Sequence, residues 1–554
     1  MSKIIIVGGV AGGATAAARL RRLDEYAEII MFERGEHISF ANCGLPYHIG
    51  GTIPDRGDLL LQTPGSFNRR FNVDVRVQSE VLSVDRSTKT IKVKDEGGIY
   101  IEQYDKLILS PGGSPIVPPM EGINSGRVFT LRNVVDTDRI KVFIHTTHPR
   151  SAVVVGGGFI GIEMAENLKE AGLKVSIVEL SDQVIAPLDI DMACDIHHYL
   201  RRQGVSLHLN NGLKKIIDGK NGLTIELQNG ILEADMLILA IGVRPESLLA
   251  KDAGLDVNGR GGILTDKHMR TSDPDIYAVG DAVEVIDFVT KQPAMIPLAG
   301  PANKQARIAA DNICGIPSEY TGTQGSAVIK VFDMTAASTG INEKTAKRLS
   351  LDYDKVYLWL PGHAGYYPGS KSMSLKVIFE KETGKILGAQ AVGFDGVNKR
   401  CDVLAVAIRA GMIAHDLTGL ELCYAPPYSS AKDPVNMAGY AIENILTGRV
   451  KNFHWREVDA LPRDGSVTLL DVRTPQEAAR GRIDGFINIP LDDLRKNIGE
   501  MDKSKPVYVH CHSGMRSYIA ARILSQHGFE VYNLSGGYRL YSSVAGDLQN
   551  QFLQ

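Results

Sequence analysis

The 554-residue chain has only six cysteines, Cys43, Cys194, Cys314, Cys401, Cys423 and Cys511, and no C-x-x-C among them. That spacing excludes a disulfide-stapled secreted scaffold and a zinc ribbon, and no metal site is expected. No run of about 18 apolar residues occurs, so no membrane span is expected. A surplus of one charge is missing as well: 61 Lys+Arg stand against 64 Asp+Glu, for a net charge of −3. Nucleic-acid binding calls for a basic excess, so no nucleic-acid partner is expected. There is no low-complexity tract, and 23% charged with 44% apolar residues is globular composition. The apolar stretch after Lys3 is broken by glycines and runs into Arg19, Arg21 and Arg22, which is wrong for a cleaved leader. The expectation is a soluble cytoplasmic protein with reduced thiols, of about three or four domains at roughly 150 residues each.

Glycine, by contrast, is abundant, with 57 residues, and it clusters in two places. KIIIV, GGVAGGATAAARLRRL and EIIMFE read as strand, glycine turn, helix and strand over residues 3–33; SAVVV, GGGFIGIEMAENLKEAG and KVSIVE repeat the pattern over 151–179. Two such units predict an α/β protein with two doubly wound, parallel dinucleotide-binding domains. The expected boundaries are 1–115 with 265–322 for the first domain and 116–264 for the second. An α+β domain at 323–445, a polar linker at 446–460 and a separate α/β unit at 461–554 complete the chain.

In the second turn, Gly156-x-Gly158-x-x-Gly161 fits the full fingerprint: one glycine for the turn, one for backbone approach to a pyrophosphate, one for helix–strand packing. Glu179 ends the next strand, where a carboxylate accepts from a ribose 2′-OH and repels a 2′-phosphate, favouring NADH, with NADPH the less favoured alternative. The first turn, Gly8-Gly9-Val10-Ala11-Gly12-Gly13, departs from the pattern at Val10, with Gly9 or Gly12 expected to compensate. With Glu33 ending its second strand, it reads as the FAD-adenosine site. The segment Thr271 to Asp281, ending in IYAVGD, resembles the second FAD signature of two-dinucleotide flavoproteins, in which the aspartate holds the ribityl chain.

Between these turns lies Ser39-Phe40-Ala41-Asn42-Cys43-Gly44-Leu45-Pro46-Tyr47-His48. Many pyridine nucleotide-disulfide reductases carry C-x-x-x-x-C here; His48 stands at the second position, so Cys43 acts alone, through thiolate and a mixed disulfide, persulfide or sulfenate. A helix start at Asn42–Pro46 is expected to favour its thiolate. SFANCGLPY, the N-terminal GGVAGG and Tyr424-Ala-Pro-Pro-Tyr428-Ser-Ser-Ala-Lys-Asp433-Pro-Val-Asn436 together resemble the coenzyme A-disulfide reductase family, over residues 1–445. The resemblance implies a homodimer acting on small thiols and disulfides. It implies coenzyme A along the first helix, held by Thr15, Arg19 and Arg22, with Ser39, Phe40, Asn42, Gln62, Phe71, Asn303 and Lys304 as further contacts. Family members use a basic residue near position 71, where this chain has Phe71. Cofactor contacts are also implied at Ala11, Arg34, Asn42, Gly112, Pro297, Phe159, Ile160 and Gly242. Tyr424, Tyr428 and Tyr366 or Tyr367 are implied as proton donors near the reactive sulfur.

Residues 461–554 resemble a rhodanese domain, through Asp471-Val-Arg473-Thr-Pro-Gln-Glu477, Gly485-Phe-Ile-Asn488-Ile-Pro490 and the loop Cys511-His-Ser-Gly-Met-Arg516. Backbone N–H groups at a helix start, with Arg516, form an anion cradle for Cys511. A cysteine phosphatase or arsenate reductase expects C-x5-R; the shorter C-x4-R here favours sulfur. His510 and His512 flank Cys511 and should point apart. The expected activity is NADH-driven, FAD-dependent reduction of CoA disulfide, CoA persulfide or polysulfide at Cys43, with Cys511 carrying sulfane sulfur. The alternatives are an NADH oxidase or peroxidase cycling through sulfenate, a sulfurtransferase, or a non-enzymatic thiol-redox sensor.

Overall fold

The computed structural model describes residues 2–552. The chain divides into two compact units, one of residues up to Leu180 with Asn211–Gly325, the other of Ser181–Asn210 with residues from Ser326 onward.

In the first unit, the β-branched run Lys3–Val7 is the central strand of a parallel sheet, between Glu28–Phe32 and Lys106–Leu109, with Ile276–Ala278 and Asp74–Arg76 at the edges. Ile4, Ile5 and Ile6 are buried, in one apolar core that holds helix residues Ala17 and Leu20 and also Val84, Ile91 and Val93. The alanines of helix Ala11–Leu23 let it pack closely: Ala16, Ala17 and Leu20 are buried. A second parallel core, Lys174–Val178, Ser151–Val155, Met236–Leu239 and Val128–Phe129, carries the second glycine turn. Two antiparallel three-stranded meanders, at 80–103 and 213–234, are additional to the expected nucleotide folds. A doubly wound architecture is thus present twice, as the repeated pattern predicts.

The second unit holds an antiparallel five-stranded sheet, in the order 327–331, 334–340, 386–393, 372–380, 353–361. It also holds a parallel sheet in the order 451–453, 531–534, 507–510, 468–471, 487–488. The expected linker at 446–460 is therefore corrected: Lys451–Phe453 is an edge strand of the last sheet, paired with Tyr532–Leu534, and Phe453 and Val458 are buried. With one inward apolar residue in three, this strand has too little alternation to be read from sequence.

Segment 181–210, expected in the second nucleotide domain, keeps its strand Ser206–His208 in that domain's sheet, while its helix Ile190–Arg202 packs with the C-terminal half. Helix Ile190–Arg202 is tied to the last helix, Gly537–Phe552, through Asp547, whose carboxylate meets His197 Nδ1 at 2.7 Å and Arg201 Nη1 at 2.5 Å. Arg539 bonds Asp195 at 2.7 Å. Nearby, the fully buried Lys376 ammonium donates to Asp189, Asp191 and Glu343 at 2.6–2.9 Å, and Trp455 Nε1 donates to Asp191. A buried charge network of this kind holds only when every member is paired, which fixes these elements to one another. Among the described residues, no helix is long and apolar enough to cross a membrane.

Candidate active site

The two glycine turns share one geometry. Gly8 and Gly156 both have positive φ (98° and 109°), and a Cβ would strike Ser110 O at 2.1 Å or Ala240 O at 2.3 Å. Gly13 and Gly161 press on the carbonyls of Gly8 and Gly156, where a Cβ would come within 1.8 and 1.9 Å. Around Gly158 there is open space for a Cβ, which suits the approach of a phosphate to a bare backbone. In the first turn Val10 takes the position of Gly158, at the helix N-cap. A Cβ on Gly9 would strike Ile38, and one on Gly12 would strike Ser110 and Val279, so neither position has room for a side chain. Glu33 accepts from the N–H groups of Gly9 and Gly35 at 2.9 and 2.8 Å, and Glu179 accepts from Gly157 N–H at 2.6 Å. Each acid is thereby held at the end of its strand, facing its turn. The residues present fit two dinucleotides. Ala11, Phe159 and Ile160 open the two helices behind these turns. Gly112 and Gly242, both of positive φ, follow the sheet strands, Pro297 precedes helix Ala299–Ile313, and Arg34 is paired with Glu246.

Cys43 lies in a single 3-10 turn, Asn42–Gly44, leading into the short helix Leu45–Ile49, and is exposed. Its charged surroundings are Glu163, Asp281 and Arg132. Desolvation is the largest push on the thiol and raises its pKa; Glu163 and Asp281 raise it further and Arg132 opposes them. Burial, and then the two carboxylates, thus oppose the thiolate that a helix start was expected to favour, and a five-residue helix has little dipole to offer. Glu163, in the first turns of helix Phe159–Glu170, is pushed up to about 7, chiefly by burial and then by Glu166, and it accepts a hydrogen bond from Tyr47. Arg132 sits 3.8 Å from Asp281 and beside Asn42. Sequence reasoning missed Arg132 and Glu163, which come from separate segments that only the fold gathers, and gave no role to Tyr47 within the Cys43 motif itself.

Helix Ala11–Leu23 packs on helix Ala299–Ile313, and Thr15 Oγ1 donates to Asn303 Oδ1 at 2.8 Å. Of the expected phosphate-binding face, Arg22 is exposed, whereas Arg19 is held by Asp311 at 2.7 Å. Lys304, next to Asn303, is exposed. Ser39 has positive φ and donates its N–H to Gly9 O, Phe40 bridges to Leu60, and Gln62 accepts from Ser66. Phe71 packs on Phe67 at 4.8 Å against the core. An aromatic ring there serves packing, where a basic residue would serve a phosphate.

In the second unit, Tyr366 and Tyr424 join hydroxyls at 3.0 Å, Tyr367 sets its ring edge-on to His363, and Tyr428 is exposed. Cys511 follows strand Val507–His510 and is 1% exposed; its Sγ accepts from Gly514 N–H at 3.1 Å and Ser517 Oγ at 3.3 Å. Gly514, with φ of 100°, lets the loop turn its N–H groups inward before helix Met515–Gln526. Tyr538 and Arg539 donate their N–H groups to the carbonyls of Cys511 and His512, fixing the loop from the other side. His510 faces Phe486 and the core, and burial lowers it to about 4; His512 faces Trp359 instead. The two histidines do point apart. Arg516 is engaged by Glu477, a partner the motif alone did not reveal.

Two nucleotide turns around a lone cysteine, with a second cysteine in an anion-cradling loop, define a two-dinucleotide oxidoreductase joined to a sulfurtransferase-type domain. The family models agree: pyridine nucleotide-disulphide oxidoreductase over residues 2–306, its dimerisation domain over 326–434, and a rhodanese-like domain over 454–543. The chain belongs to the pyridine nucleotide-disulphide oxidoreductase family. It is similar to the coenzyme A disulfide reductase of Staphylococcus epidermidis, with 38% identity over 444 residues, 79% of this chain and 99% of that protein. Its fold is similar to the crystal structure of reduced Bacillus anthracis CoADR-RHD, with 52% identity, a TM-score of 0.96 and coverage of 99% and 98% of the two chains. It is also similar to the structure of a NAD-dependent persulfide reductase from A. fulgidus, with 37% identity, a TM-score of 0.91 and coverage of 97% and 100%.

Proposed function

We propose that the protein is an NAD(P)H-dependent, FAD-containing reductase of sulfur–sulfur bonds, acting on CoA disulfide, CoA persulfide or polysulfide through Cys43. The observation that carries the reading is one exposed cysteine, without a second cysteine in its motif, set between two dinucleotide-type glycine turns of shared geometry. FAD falls to the Gly8 turn, Glu33 and Asp281; NADH falls to Gly156, Gly158, Gly161 and Glu179. Bound there, the cofactors supply the electron pair.

The chain's own residues do the rest. Cys43 exchanges with the substrate S–S bond, forming a mixed disulfide and releasing one thiol; reduction of that disulfide frees the second. Arg132 offsets the two carboxylates at the sulfur and favours its anion. Tyr367, Tyr424 and Tyr428 are exposed phenols of the dimerisation domain, suited to protonating a leaving thiolate in a homodimer. Arg22, Lys304, Asn303 and Thr15 offer a polar and basic face for the coenzyme A phosphates. Cys511 carries sulfane sulfur.

Steady-state NADH consumption with CoA disulfide, CoA persulfide, polysulfide and peroxide tests this. Sulfur substrates should dominate kcat/KM in the wild type, and Cys43→Ser should abolish all of them. Peroxide dominating instead would make the protein a peroxidase.

A further inference from the structure

Three guanidinium groups surround the Cys511 loop, and each already has a carboxylate. Arg516 makes a bidentate pair with Glu477, at 2.7 and 2.6 Å. Arg473, buried, is paired with Asp471 at 2.7 Å, and Arg539 with Asp195 at 2.7 Å. Glu477 is no casual partner. It is the last residue of a capping box and also accepts from Thr474 N–H and Oγ1 at 3.0 and 3.1 Å, so its carboxylate is fixed in place. With each guanidinium countered by a carboxylate, an anion at Cys511 is drawn mainly by the Gly514 N–H and the Ser517 hydroxyl, and Arg516, which also reaches the Cys511 sulfur, brings little net charge to it. Beside the loop the surface is apolar: Met515 and Ile519, one turn apart on the helix, are 43% and 40% exposed, and Trp359 meets the His512 ring at 5.3 Å.

We propose that Glu477 is a specificity-determining residue that masks Arg516, so that Cys511 takes its sulfur from an organic persulfide and discriminates against thiosulfate. This rests on the reading of Cys511 as a sulfur carrier. The Cys511 thiolate attacks the outer sulfur of R–S–SH; the Sγ–S bond forms, the S–S bond of the persulfide breaks, and R–S⁻ leaves with the bonding pair, giving Cys511–S–SH. No net oxidant or reductant is needed. Thiosulfate requires the same attack on a dianion with release of sulfite, and a dianion gains most from an unpaired guanidinium. The masked cradle withholds that gain, while a low-charge persulfide with an organic arm loses nothing and gains the Met515–Ile519 surface.

The test uses the full-length holoenzyme without NADH, offered CoA persulfide or thiosulfate, with sulfur uptake on the Cys511 peptide read by mass spectrometry. In the wild type, CoA persulfide should load Cys511 at least about tenfold faster than thiosulfate, and Glu477→Gln should raise the thiosulfate rate by about tenfold, the scale of one unmasked charge at this distance. Glutamine keeps the capping-box hydrogen bonds; circular dichroism and FAD content verify the fold, and the wild-type ratio needs no variant. Equal loading from both donors in the wild type, or an unchanged ratio in Glu477→Gln, would overturn the proposal. Failure of both donors to label Cys511, while iodoacetamide still does, would overturn the carrier reading itself.

Discussion

Cys43 and Cys511 each stand at the entrance to a helical segment, yet the protein treats the two sulfurs in opposite ways. Cys511 is enclosed, with a backbone N–H and a hydroxyl donating to its sulfur and its carbonyl held by the last helix. Cys43 is exposed on a short turn, and the charges facing it include two carboxylates that oppose ionisation. The lesson is about where activation comes from. The Cys511 loop is finished by the chain itself, as a persulfide carrier requires. The Cys43 site is held by Glu163, Asp281 and Arg132 in a balance that bound cofactor and substrate can tip.

The sharpest way to break this comparison is to exchange the two losses. Cys43→Ser should lower NADH-dependent turnover of CoA disulfide by about a thousandfold or more, as removal of a covalent nucleophile does. Cys511→Ser should abolish cyanolysable sulfane sulfur instead, with CoA disulfide reduction falling less than about twofold. If Cys511→Ser also lost CoA disulfide reduction, the two sulfurs would not be separable. Next in size is Asp547→Asn. Burial favours the neutral acid, but His197 and Arg201 outweigh it and hold the Asp547 carboxyl far below the usual carboxylate range. Its contribution is therefore full above the unfolded value near pH 4 and fades as pH falls through the folded one. Breaking this buried pair should cost about 3–5 kcal/mol, read as earlier urea unfolding of the C-terminal helix that backs the Cys511 loop.

Much of this was legible in the sequence, because glycine turns and strand runs are local. The two βαβ units, Glu33 and Glu179 at the strand ends, the unpaired Cys43 and the Cys511 loop all follow from spacing of a few residues. What escaped was long-range. Arg132 and Glu163 reach Cys43 from distant segments, Asp311 claims Arg19, and Glu477 claims Arg516. The ties of helix Ile190–Arg202 to Asp547 escaped too, because that residue lies at the far end of the chain. The legible part has its own test: Glu179→Ser removes the carboxylate proposed to meet the ribose hydroxyl of NADH, and should shift the kcat/KM ratio of NADH to NADPH toward NADPH by about tenfold. An unchanged ratio would mean that the nucleotide is chosen elsewhere.

The finest test concerns the charge balance at Cys43. Glu163 titrates at about 7, held up by burial and by Glu166, so around neutrality it passes from neutral to anionic as pH rises. Above that pH its charge pushes the Cys43 thiol further up, and the thiolate population lags. Glu163→Gln keeps the shape and the acceptor for Tyr47 but carries no charge at any pH. Alkylation of Cys43 by iodoacetamide in the reduced holoenzyme should then proceed about threefold faster at pH 8, half a pKa unit in the thiol. At pH 6, where wild-type Glu163 is largely protonated, the two proteins should react alike. A rate difference that was the same at both pH values would assign the effect to packing around Tyr47. A slower reaction at pH 8 would show that Glu163 assists the thiolate, and the contrast between the two cysteines would have to be redrawn.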